Sequence, residues 1–306
     1  MRLLLSSAAL SALASTALAA ECDKVIFSDV GWTDITATTA TTSVILQALG
    51  YDTDIKVLSV PVTYIAMAEG DVDVFLGNWM PTMEADIAPY REAGTVDTVR
   101  ENLESAKYTL AVNKAAMDLG IADFADIAAN KDALDGKIYG IEPGNDGNRL
   151  IMDMIASNAF GLEGFEVVES SEQGMLAQVA RAGDDEPVVF LGWEPHPMNA
   201  NFNMGYLTGG DDYFGPDLGG ATVYTNTRAG YVDECPNVGA LLKNLKFTLA
   251  MENEIMAAIL DEGEDPEDAA TAWLKANPDA YALWLEGVTT HDGGNALMAV
   301  STALGS

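Results

Sequence analysis

One short phrase occurs twice in this chain and limits how it can fold. Residues 73–81 read DVFLGNWMP, and residues 189–195 read VFLGWEP. Each phrase opens as a run of β-branched and aromatic residues, the pattern of a buried strand, and a Gly ends the run. A Trp follows, and then a Pro that forbids regular continuation. A third strand pattern, residues 25–30, ends in the same way in Gly31-Trp32. In open α/β sheets a ligand lies beyond the carboxyl ends of the strands. Three indoles are therefore delivered to where a ligand would sit. A single such Trp could merely cap a core, but three at equivalent strand ends favour a site.

Between these phrases strand and helix patterns alternate. Strands are expected at 25–30, 54–60, 73–76 and 108–112, with helices at 36–49, 62–69 and 83–93. After Asn113 the rhythm restarts: helix 124–133, strand 137–141, helix 148–160, strand 165–169, helix 175–182 and strand 187–191. A Gly- and Asp-rich bridge at 209–220 leads to strand 221–225, and the tail from Pro236 reads as mostly helical. Alternation of this kind implies parallel-rich sheets covered by helices. The expected fold class is α/β, with two lobes joined by a hinge. Lobe I is discontinuous, 21–109 and 214–306, and lobe II, 110–213, is inserted into it. A cleft between such lobes is a standard place for a small-molecule site.

Residues 1–20 stand apart from that fold. Met-Arg, an apolar Leu/Ala run and Ala17-Leu18-Ala19 form the pattern of a cleaved secretory signal peptide, too short for a membrane span. The expected location is the periplasm. The two cysteines, Cys22 and Cys235, are then most simply one structural disulfide. Glu21 separates Cys22 from the cleavage pattern, which disfavours a lipid anchor.

With 47 acidic residues against 15 basic ones, the formal net charge is −32. No basic stripe exists to meet phosphates, so nucleic acid is excluded as a partner. Acidity alone is a solubility feature, but its sign suits a cationic ligand. Indoles without cationic neighbours suit a quaternary ammonium, which has no N–H to donate and is held by ring faces at ~0.5–2 kcal/mol per ring. Asp34, two residues beyond Trp32, is the carboxylate at hand.

The longer phrases identify a family. SDVGWTDITATTATTSVIL (28–46), VDVFLGNWMPTMEADIAPY (72–90), AKYTLAV (106–112), YGIEPGNDGNRLI (139–151), FLGWEPHPMN (190–199) and GGATVYTNTR (219–228) resemble the glycine betaine/proline betaine-type substrate-binding proteins of bacterial ABC importers. Within that family the resemblance is to its choline-binding members, and it runs over essentially the whole chain after residue 20. It implies a hinge-closing binding-protein fold, present as a single copy, that carries choline to a membrane permease. It also implies an aromatic box of Trp32, Trp79, Tyr108 and Trp193, an acidic contact at Asp34, and Asn145 on the ligand hydroxyl. Tyr108, Asn145 and Trp193 would reach the ligand only when the lobes shut. Cys22 and Cys235 match the family's disulfide, and neither cofactor nor metal is implied.

Read from the residues alone, each of these has another use. Tyr108 could be strand core, Asp34 a helix N-cap, and Asn145 a turn residue beside Gly. The GNDG loop lacks the Lys and glycine spacing of a phosphate loop. His196 and His291 read as structural, and Trp273 and Trp284 as packing of tail helices. No G-x-S-x-G elbow is present, so an esterase acting on choline esters is not supported. Another methylated ammonium (acetylcholine, glycine betaine or trimethylamine N-oxide) is the alternative ligand.

Overall fold

The structure is a computed structural model and describes residues 22–305. The expected signal peptide at 1–20 lies outside the described residues. Nine strands form one hydrogen-bonded ladder: β1 (Lys24–Asp29), β2 (Asp52–Val57), β3 (Val74–Met80), β4 (Val96–Asn113), β5 (Lys137–Tyr139), β6 (Glu166–Val168), β7 (Val189–Glu194), β8 (Met204–Tyr206) and β9 (Gly220–Arg228). Their order is β2-β1-β3-β9-β4-β7-β5-β6, with β8 on β4.

The two ends of the ladder are parallel. At one end β1 lies between β2 and β3, and at the other β5 lies between β6 and β7. The strands between are antiparallel: β9 joins β3 to β4, and β4 joins β9 to β7. The two expected parallel-rich sheets are thus continuous with each other through β4 and β9. The expected strand at 108–112 is the last part of an 18-residue strand. Its first half shifts register against β9 between Thr98 and Arg100, between Glu101 and Leu103, and between Leu103 and Ala106. Bulges of this kind bend and twist a strand, so β4 turns from one half of the sheet to the other.

The helices that matter to the site are α1 (Thr33–Ala48), α2 (Val60–Glu69), α3 (Glu84–Ala93), α4 (Asp146–Ala156), α5 (Glu172–Ala182), α6 (Leu249–Leu260) and α7 (Pro266–Ala276). Helix α1 is buried along most of its length although it is rich in Thr and Ser. The buried hydroxyls of Thr38, Thr41 and Thr42 are satisfied by carbonyls one turn back. Helices α6 and α7 pack over it. Strand β3 is buried on both faces, as a strand covered on both sides must be. Cys22 and Cys235 form the expected disulfide, with Cα atoms 5.6 Å apart. No helix among the described residues is long and apolar enough to cross a membrane.

Candidate functional site

Three strand ends and one helix start converge on a single cavity. After β1, Gly31 adopts φ +82° and donates its N–H to Asp29 at 2.7 Å, which turns the chain so that Trp32 faces inward. Trp79 is the penultimate residue of β3. Trp193 lies in β7 directly across the ladder from Tyr108 in β4. Asn145 caps α4 by accepting the Asn148 N–H at 3.1 Å.

The cavity is lined by Trp32, Asp34, Trp79, Tyr108, Ile141, Asn145, Asp146 and Trp193. All six residues singled out in the sequence line it, and the four rings are each no more than 6 % exposed. Tyr108 is the centre of the ring cluster. Its ring lies 6.1 Å from Trp79 at 63° and 6.2 Å from Trp193 at 79°, both edge-to-face. No Lys or Arg is among the lining residues.

The polar edges of three of the rings are occupied, which leaves their faces to a ligand. The Trp32 indole donates to Glu142 at 2.9 Å, the Trp79 indole to Asp34 Oδ2 at 3.1 Å, and the Tyr108 hydroxyl to Asn145 at 2.9 Å. Asp34 Oδ1 is buried and accepts nothing. Burial, with a further push from the charge of Glu172, raises the Asp34 carboxyl to about 8. Burial likewise lifts Glu142 to about 7 and Asp146 to about 6. The cavity thus carries a buried acid, Asp34, without a countercharge among its lining residues, and a positive ligand would supply one.

Several expectations from sequence are resolved by these contacts. Asp34 is not the N-cap of α1: the helix starts at Thr33, so Asp34 sits inside its first turn and points at Trp79. Asn145 is a cap and a cavity residue at once. Tyr108 belongs to a strand and also lines the cavity. Trp273 and Trp284 stack on each other in the tail at 6.5 Å. His291 pairs with Asp23 at an exposed position. Sequence reasoning missed Ile141 and Asp146. Ile141 follows the end of β5 as Trp32 follows β1, and Asp146 adjoins Asn145, so both carried a usable positional signal.

Residues 23–276 match the model of the OpuAC family, described as the substrate-binding domain of the ABC-type glycine betaine transport system. The chain belongs to the OpuAC family. An ABC-transporter choline-binding protein in complex with choline is 70 % identical over 93 % of this chain and 99 % of its own, with a TM-score of 0.92. A choline-binding protein in an unliganded semi-closed conformation is also 70 % identical, over 94 % of this chain and 100 % of its own, with a TM-score of 0.86. The lactococcal OpuAC protein in its closed form with glycine betaine shares the fold, with a TM-score of 0.76 at 24 % identity over 85 % of this chain and 98 % of its own. This OpuAC-family chain is therefore nearer in shape to the choline-bound protein than to the semi-closed one.

Proposed function

We propose that this protein captures choline outside the cytoplasm and delivers it to the permease of an ABC importer. Residues 1–20 would direct export. Lobe I (21–109 and 214–306) would carry Trp32, Asp34 and Trp79, and lobe II (110–213) Asn145 and Trp193. Tyr108 falls beside the crossing between them, in β4. The trimethylammonium would rest against the four ring faces, each worth ~0.5–2 kcal/mol, while Asp34 balances its charge and Asn145 receives the hydroxyl. Catalysis has no part in this role.

The observation that carries the reading is Asp34 Oδ1, a buried carboxylate oxygen without a partner in a cavity walled by aromatic rings. A carboxyl buried in that position needs a cation beside it to ionise. Glycine betaine adds a carboxylate, which Asp34 and Asp146 would repel. Calorimetric titration with choline, acetylcholine, glycine betaine and trimethylamine N-oxide tests the proposal. Choline is expected to bind tightest, and glycine betaine binding as tightly as choline would overturn the assignment.

A further inference from the structure

We propose that Glu172 is the closing latch of the clamp: it caps the N-terminus of α1 from the opposite lobe and so sets how long choline is held. This inference rests on the choline-binding reading above and concerns a residue outside the cavity lining.

A helix leaves its first N–H groups without intrahelical acceptors, and its N-terminus favours negative charge. Most helices satisfy this need locally. Here the N-cap residue is Trp32, which offers no side-chain acceptor. Asp34, in the first turn, turns one oxygen to the Trp79 indole and leaves the other bare. The acceptor comes from 139 residues away. Glu172, the first residue of α5, takes the Thr33 N–H at 2.9 Å and the Thr33 hydroxyl at 2.5 Å, one on each oxygen. His196 Nε2 lies 3.2 Å from the same carboxylate. Because His196 Nδ1 accepts the Met198 N–H at 2.9 Å, the ring proton sits on Nε2 and is donated to Glu172.

This carboxylate is joined to the site on both sides. The His196 ring stands edge-on against Trp193 at 5.0 Å. On the other side, Thr33 lies between Trp32 and Asp34. Closing the lobes also carries the charge of Glu172 toward Asp29 and Asp34, both of which it burdens, as it already burdens Glu142 in its own lobe. A cation in the box relieves that repulsion. Ligand inside therefore favours the latch, and with the lobes apart water can solvate both Glu172 and the end of α1.

Stopped-flow tryptophan fluorescence with choline, together with thermal melts with and without choline, tests the latch on Glu172→Gln, Thr33→Val and Thr33→Ser. Glu172→Gln keeps the size but loses the charge and sets an amide NH2 against donors. It is expected to speed choline release about tenfold or more, with the association rate within about twofold. Thr33→Val should speed release less, and Thr33→Ser should behave as wild type. The ligand-free melting temperature of Glu172→Gln should hold, while the rise produced by choline shrinks. An unchanged release rate overturns the latch. So does a ligand-free melting temperature that drops as far as the liganded one, which would make Glu172 a fixed part of the core. Should choline give no signal with the wild type, the ligand assignment fails, and the same kinetics with glycine betaine as probe judge the latch.

Discussion

The Trp79 indole reaches one oxygen of Asp34 at 3.1 Å, and the other oxygen of that carboxylate is buried without a partner. One oxygen orients the ring and the other awaits charge. Replacing Asp34 by Asn keeps the size and removes the charge. Losing one member of a buried charge pair costs on the order of 3 kcal/mol or more, so Asp34→Asn should weaken choline binding by well over tenfold in calorimetry. It should also raise the ligand-free melting temperature near neutral pH, because a carboxyl that burial holds at about 8, and that folding must therefore protonate, is removed. Unaltered choline affinity would show that the charge of Asp34 is not used.

Choline binding should strengthen as pH rises. In the empty protein burial lifts Asp34 to about 8, Glu142 to about 7 and Asp146 to about 6, with Glu172 and Glu252 the acids that couple to Asp34. A cation prefers the ionised carboxylate, so below about pH 8 binding expels a proton and is weaker. Stability runs the other way. Carboxyls raised in the folded state hold protons that the unfolded chain has released, so ligand-free stability falls from about pH 5 to about pH 8. Titrations near neutral pH in two buffers of different ionisation enthalpy should differ by the proton released. Equal heats in both buffers, with affinity flat across the range, would refute the coupling.

How much of this was readable from the residues depends on range. Trp32, Trp79 and Trp193 each sit at or beside a strand end, so local pattern placed them together. Tyr108 and Asn145 had no distinguishing local signal and entered through the family resemblance. Glu172 escaped because its partner, Thr33, is 139 residues away. The first half of β4 escaped for another reason. Its residues are polar and partly exposed and its pairing with β9 is interrupted, so no regular alternation marks it. That half-strand is also what makes the two parallel groups one ladder instead of two sheets.

Gly147 lies in the first turn of α4, and a Cβ there would fall inside contact distance of the Tyr108 hydroxyl. Its φ is ordinary, so the backbone would accept Ala. The clash falls instead on the Tyr108–Asn145 hydrogen bond, which would have to break or shift. Gly147→Ala should therefore weaken choline binding about tenfold or more while circular dichroism stays native. Wild-type affinity in this variant would mean that Tyr108 can move without consequence.

The disulfide should serve stability and not recognition. It joins residues 213 apart in sequence, and on the chain-entropy model a closure that long contributes up to about 4–5 kcal/mol. Cys22 precedes β1, whose far end delivers Trp32 to the cavity. The double variant Cys22→Ser/Cys235→Ser should lower the denaturation midpoint in guanidinium and leave the choline dissociation constant within about twofold. A large loss of affinity at a temperature where the variant is folded would tie the bridge to the site.

A second long-range contact, which the proposed lobes would make across their cleft, lies at a wetter place. Arg149 of α4 grips Asp86 of α3 with two bonds of 2.9 Å and reaches the Thr82 carbonyl at 3.3 Å. The fork-to-carboxylate geometry is the strong form of an ion pair, but the Arg149 side chain is 33 % exposed, so solvent and salt screen much of it. Arg149→Met keeps the stem and removes the fork. It should raise the choline dissociation constant only about two- to fivefold, chiefly through faster release. The wild-type advantage should shrink as salt is raised, whereas the effect of Glu172→Gln, at a buried contact, should not. A double-mutant cycle of Arg149→Met with Asp86→Asn, measured at low and high salt, separates the two contacts. Coupling that is absent at low salt would remove this pair from the closing energy.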